Sequence, residues 1–211
     1  MTPSSVSAHT PAVRIVHLDN VAPQLWRNGG GMTRELIAWP SADAWLVRVS
    51  VARIARDGPF SAFPGVWRWF TVLNGAGVSL EWPDRKRTLT RGDEGTAFDG
   101  NDAPACRLLD GETDDLNVMW DMRVSARGVS RVVPGSAWSS SATWRAVYTD
   151  APCTLLIGNG AQAQSHTLDA RTLAWSEVQP GAPIQEEAWR IHTAVPVRAW
   201  WLWATQASAQ D

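Results

Sequence analysis

The chain has 211 residues, 45% of them hydrophobic and 19% charged, with a formal net charge of −2 and a pI of about 6.1. Such a composition suits a globular protein large enough to bury its own core without staples. It excludes any general attraction to nucleic acid or an anionic membrane, since Lys86 is the single lysine and the arginines are scattered.

The opening stretch MTPSSVSAHTP has neither a basic n-region nor an apolar h-region, so residues 1–12 are expected to be a disordered tail rather than a signal peptide. Convincing helix patterns are scarce. VRIVHL (13–18) alternates as a first strand, and TRELIAWP (33–40) is a second, stopped by Pro40. AWLVRVSVARI (44–54) is the clearest strand. It places Leu46, Arg48, Ser50, Ala52 and Ile54 on one face and Val47, Val49, Val51 and Arg53 on the other. After the turn-rich RDGPFSAFPG, the segment VWRWFTVLNGAGVSLEW predicts a hairpin at Asn74-Gly75 and Gly77, residues that supply positive φ. KRTLTRGDEGTAFDG (86–100), ACRLLD (105–110) and DLNVMWDMRV (115–124) complete a first set of short, evenly spaced strands over 13–124. That spacing favours a barrel or closed sandwich over a βαβ arrangement.

Residues 125–143 change character and predict a connection. A second, smaller β-module is expected over 144–205, with a tail at 206–211. LLIGNGA echoes TVLNGAG of the first half, a weak sign of two related modules. Fourteen tryptophans, many in alternating segments, are read chiefly as core. Cys106 and Cys153 stand alone and far apart, as buried thiols of a reducing cytoplasmic compartment do. No apolar run approaches the ~20 residues needed to cross a bilayer.

LWRNGGGMTRELIAWP (25–40) contains three consecutive glycines. A phosphate-binding loop needs a following Lys-Ser/Thr and a helix, and a dinucleotide fingerprint needs a βαβ unit. Neither is present. Gly29-Gly30-Gly31 is therefore either a turn or bulge, or a place where a ligand approaches the backbone.

The motifs WRNGGGMTREL, WLVRVSVARIARDGPFSAFPGVWRWFTVLNGAGVSL, LTRGDEGTAFDG and DLNVMWD occur in an order and spacing that resemble the HutD/Ves family over residues 14–124, and more loosely to about 205. The resemblance implies an all-β, double-module cupin-like protein (an RmlC-like jelly-roll barrel or sandwich, a bicupin) with little helix and no established enzyme activity. It also implies an association with histidine-utilisation genes and, in enteric bacteria, with stress responses. Metal-binding cupins carry His-x-His and Glu before the first hairpin and a further His after the Gly-Asp turn. Here FSAFPGVWRWF and GDEGTAFDG contain no histidine. His9, His17, His166 and His192 lack ligand spacing, so no metal and no cofactor is expected.

If the Arg48–Ser50 face turns into the barrel, a guanidinium sits indoors and needs a carboxylate, either internal (Asp57, Asp99 or Glu35) or from a ligand. Phe60 and Phe63 either plug the barrel mouth or, with Ser61, close over a small molecule. In DLNVMWD, Asn117 and Met119 share one face opposite Leu116, Val118 and Trp120. Asp99 of AFDG stands roughly where metal cupins place their last histidine. The candidate site is thus Trp26, Asn28, Gly29, Gly30, Thr33, Arg34, Arg48, Ser50, Asp57, Phe60, Ser61, Phe63, Asp99 and Asn117.

The expected function is binding of a small anionic metabolite, such as urocanate or formylglutamate, by a cytoplasmic protein that modulates histidine utilisation or a stress-related process. The alternative is a metal-independent isomerase or lyase acting on a small carboxylate, with Asp57, Glu35 or Asp99 as acid or base. A scaffold presenting Trp-rich edge strands, as in a homodimer, is a third reading; neither nucleic acid nor membrane is an expected partner.

Overall fold

The structure, a computed structural model, describes residues 12–160, 163–178 and 187–206. The expected tails therefore lie almost wholly outside the described residues. Within them the chain is all-β, with a single 3-10 turn at Leu18–Asn20. Strands are numbered in chain order and every pairing is antiparallel.

The first module is a six-stranded sheet facing a four-stranded one. The larger runs β2 (Gln24–Leu25), β3 (Gly31–Trp39), β4 (Val47–Ile54), β11 (Thr113–Asp121), β6 (Val66–Asn74) and β9 (Thr96–Asp99). The smaller runs β5 (Gly58–Pro59), β10 (Ala105–Leu108), β7 (Val78–Glu81) and β8 (Lys86–Leu89). The second module repeats the plan with fewer strands. Its larger sheet is β1 (Arg14–His17), β16 (Thr172–Glu177), β13 (Trp144–Thr149), β18 (Ala199–Gln206) and β12 (Val124–Arg131). Its smaller sheet is β15 (Gln164–Leu168), β14 (Cys153–Ile157) and β17 (Trp189–His192).

Three details differ from the sequence expectation. Strand β1 does not join the first module; it pairs with β16, Arg14 opposite Trp175, and its guanidinium lies 4.5 Å from that ring and 2.6 Å from Glu177. Alternation identifies a strand but not its partner. Residues expected to belong to a connection form most of β12, an edge strand whose Ser, Gly and Arg content hides its extended backbone. Gly75 and Gly77 do adopt φ of +89° and +111°, yet they turn no hairpin. They carry the chain from β6 in one sheet to β7 in the other, where the Gly77 amide meets the Thr113 hydroxyl. The echoing segment LLIGNGA leaves β14 toward its neighbour β15 in the same small sheet, so the two glycine turns occupy unlike corners.

Three apolar cores separate the four layers. The first module is filled by Ile54, Phe70, Val72, Leu80 and Phe98, the second by Val147, Leu155, Ile157, Trp189 and Trp201. The largest core lies between the two large sheets. There Val47, Val49, Val51, Leu116, Val118 and Trp120 meet Trp144, Ala146, Tyr148, Trp200 and Leu202. The five-stranded sheet is thus covered on both faces, which is why β13 is buried throughout and β18 runs AWWLWA instead of alternating with polar residues.

A bulge in β3 sets how this seam meets the rest. Glu35 stands opposite Ser50 and Ile37 opposite Val49, so Leu36 is the extra residue. The shift lets Leu36 and Trp39 both reach the seam while Glu35 stays on the opposite face with Arg48.

Because Trp144 is fully buried in the seam, Trp144→Ala should cost about 3–5 kcal/mol, measured by chemical denaturation. The loss should register equally in a probe placed in the first module, since the two modules share that core.

Candidate functional site

The face of the six-stranded sheet turned away from the seam carries a polar grid. β4, β11 and β6 are adjacent and in register, so side chains align in rows across them: Arg48–Met119–Arg68, Ser50–Asn117–Phe70 and Ala52–Asp115–Val72. This face opens on a cavity of about 500 Å³ between the two sheets of the first module. The Trp26 to Asn28 turn and the Phe60–Phe63 loop supply its other walls.

The geometry brings together nine of the sequence candidates: Trp26, Asn28, Thr33, Arg48, Ser50, Phe60, Ser61, Phe63 and Asn117. The Trp26 indole donates to the Thr33 hydroxyl at 2.8 Å, bracing the wall. Arg48 is turned inward and is paired with Glu35, one of the three internal partners considered.

The other five lie elsewhere. Arg34 sits between Thr33 and Glu35 on one strand, so the two-residue period sends it to the opposite face. There it donates to the Val21 carbonyl at 2.6 Å and borders a separate space of about 410 Å³. Asp57 accepts the Leu108 amide at 2.8 Å and fastens β10. Asp99 accepts the Asn101 amide at 2.8 Å in a local turn. Gly29, with φ +65°, and Gly30 form the turn itself, whose amide is held by the Asn28 side chain at 2.9 Å. A Cβ on Gly31 would come within 2.2 Å of the Arg53 carbonyl. The glycine run is therefore a turn that lets two strands close up.

Among the cavity residues absent from the sequence candidates, two are charged and buried, Arg68 and Asp115. Arg68 is only 4% exposed. Its guanidinium makes long hydrogen bonds to the Ser61 carbonyl (3.3 Å) and the Asn117 side-chain oxygen (3.4 Å), and leaves Nε without a partner. The rings of Phe60, Phe98 and Phe63 surround it at 5.1, 5.1 and 5.6 Å. Burial lowers its pKa to about 10, with Asp115 opposing and Arg48 reinforcing the fall. Among the described residues no carboxylate lies within 4 Å of it. Asp115 is 2% exposed, and burial pushes its carboxyl well above the usual carboxylate range, only partly countered by Arg68. Simple alternation would have found both: Arg68 shares a face with Phe70 and Val72, and Asp115 shares one with Asn117 and Met119.

The donor set does not fit a resident metal. Among the described residues no three His, Cys, Asp or Glu side chains converge on a common point. His17, His166 and His192 sit on strands of the second module, and His9 lies outside the described residues. A dication in the cavity would instead face the guanidiniums of Arg27, Arg48 and Arg68.

The folded state holds the Asp115 proton to a higher pH than the unfolded chain, whose Asp titrates near ~3.9. Its contribution to stability is therefore greatest in acid and declines as pH rises above that value through the folded titration. Thermal melts of Asp115→Asn should show the variant gaining on the wild type as pH rises above ~5, until the folded titration of Asp115 is passed.

The HutD family profile matches residues 19–191. Protein Ves of Citrobacter koseri is 39% identical over 99 residues, 45% of this chain and 51% of that protein. The chain thus spans about half the length of the curated relatives it matches. The structure of HutD from Pseudomonas fluorescens superposes with a TM-score of 0.78 at 23% identity, over 93% of this chain and all of that one. Oxalate decarboxylase of Bacillus subtilis shares the fold at a TM-score of 0.65 and 9% identity, over 98% of this chain and 81% of its own. With its profile match covering most of the sequence and a cupin-like double sandwich beneath it, the chain belongs to the HutD/Ves family.

Proposed function

We propose that this chain is a metal-independent binding protein for a small carboxylate, acting in the cytoplasm as a modulator of histidine utilisation. The observation that carries the reading is the cavity row in which Arg48 and Arg68 flank Met119, with Asn117 beside them. Arg48 already has Glu35, but Arg68 is buried with no carboxylate within 4 Å among the described residues, and a buried guanidinium is costly without a close anionic partner. A carboxylate entering the cavity provides that partner through a charge-assisted, bidentate contact. Trp26, Phe60 and Phe63 offer flat apolar walls suited to a small planar or extended body. The tie to histidine breakdown rests on family membership, and urocanate and N-formylglutamate are the pathway carboxylates of suitable size.

The catalytic alternative keeps less support, because Asp57 and Asp99 lie outside the cavity and Glu35 is engaged by Arg48. Asp115 is the one acid left for it. Turnover of either compound by the wild type, lost in Asp115→Asn, would favour that reading.

Calorimetric titration and thermal melts with urocanate and N-formylglutamate test the proposal. Binding raises the melting temperature by mass action, and Arg68→Gln weakens it by about 2–5 kcal/mol. Arg34→Gln, on the opposite face of the same sheet, leaves it unchanged. Neither heat nor a melting shift at millimolar ligand would sink the reading.

A further inference from the structure

The first cavity holds an acidic group that an anion-binding site should not tolerate. Asp115 lies in the row Ala52–Asp115–Val72, with apolar neighbours on both adjoining strands, and it lines the same space as Arg48 and Arg68. Its carboxyl has no hydrogen-bond partner and no cation within 4 Å among the described residues.

Charge counting makes the conflict plain. Glu35 neutralises Arg48. If Asp115 is ionised, it cancels Arg68, and only the exposed Arg27 remains to attract an anion. A bound carboxylate would then stand beside a second carboxylate in a poorly solvated space, an arrangement in which one of the two takes up a proton. If Asp115 is neutral, Arg68 is also free, and two positive charges, Arg27 and Arg68, remain for an anion.

Resting on the carboxylate-binding reading above, we infer that Asp115 is the specificity-determining group of this cavity: it is a carboxylic acid in the complex, donates its O–H to the bound carboxylate or an adjoining acceptor, and makes anion binding require a proton. The ligand class that follows is a small mono- or dicarboxylate carrying a hydrogen-bond acceptor within reach of β11. A neutral acid also rejects ligands that present an acceptor-poor, purely apolar end to that row, because its O–H would be left unpaired.

The surroundings of Asp115 favour the acid form. On β4 it faces Ala52 and, further along, Ser50 and Arg48; on β6 it faces Val72, Phe70 and Arg68. From the opposite sheet the nearby group is Cys106, whose thiol burial raises to about 12, with Asp115 adding to the rise. Asp114, the next residue, points to the other face and is held by Arg53 at 2.7 Å. Arg68 favours the ionised form; Arg48 is already paired with Glu35, and Arg27 is exposed. Burial, Asp114 and the entering carboxylate all act the other way.

The test uses N-formylglutamate, which has no ionisation between pH 6 and pH 9. Infrared difference spectra of the saturated wild-type complex should contain the carbonyl band of a protonated carboxylic acid, shifted by deuteration and missing in Asp115→Asn. Calorimetry in buffers of unlike ionisation heat should show up to one proton taken up per ligand once pH passes the titration of the empty protein. Affinity should fall there by up to about tenfold per pH unit. A complex that binds yet lacks the band at pH 7 overturns the role of Asp115 and leaves the proposed function standing. A wild type that binds nothing at any pH overturns the proposed function, and this inference falls with it. Should Asp115→Asn fail to fold, the wild-type proton count decides: a release of protons, or an affinity that improves with rising pH, overturns the inference.

Discussion

The seam between the two large sheets fixes everything else. Side chains alternate across a strand, so a register that buries Val47, Val49, Val51, Leu116, Val118 and Trp120 against the second module has no freedom left on its other face. Arg48, Ser50, Asp115, Asn117 and Arg68 are carried into the first cavity by that choice. A slip of one residue would bury the charged set in the seam and empty the cavity of polar groups. The apolar contacts that hold the modules together are therefore also what aims the guanidiniums.

Within the cavity the two arginines of the large sheet, Arg48 and Arg68, are held by different means. Arg48 has a formal partner in Glu35, delivered to the correct face by the Leu36 bulge. Arg68 has three phenylalanine rings, a backbone carbonyl and an amide oxygen, and so remains available to an anion. The opposite edge of β6 is secured from the second module, where Arg198 donates to the carbonyl of Val72 at 2.8 Å next to the irregularity opposite Asp114 and Asp115. The pose of the strand that bears Arg68 thus depends on both halves of the chain.

Much of this was legible in the sequence, and the limits have physical causes. The alternation of AWLVRVSVARI is enough to turn Arg48 and Ser50 inward, and TRELIAWP is legible as the strand that follows the glycine run. Arg68 escaped notice because it lies between Trp67 and Trp69 in a segment that looks apolar on both faces. Asp115 escaped because the Asp-Asp pair at 114–115 resembles a solvated turn. Arg34, Asp57 and Asp99 were assigned by proximity to motifs, and proximity along a strand is a poor guide when each step reverses the face. Strand partners were the least legible. Hydrogen-bonding edges carry no side-chain signature, so neither the destination of β1 nor the strand character of β12 could be read locally.

The placement of β1 has a bearing on how the chain reaches this shape. Arg14 meets Glu177 across 163 residues of sequence, closing the second module with a strand synthesised before any part of the first. That strand must stay unpaired while the whole first sandwich forms, and its docking is among the most non-local contacts available to the molecule. Closure of so long a loop slows assembly, since its entropy is lost before the contacts reward it. The open edge of β16 meanwhile presents bare backbone amides and carbonyls to any neighbouring chain, so the interval before β1 arrives is when the protein is most exposed to mispairing.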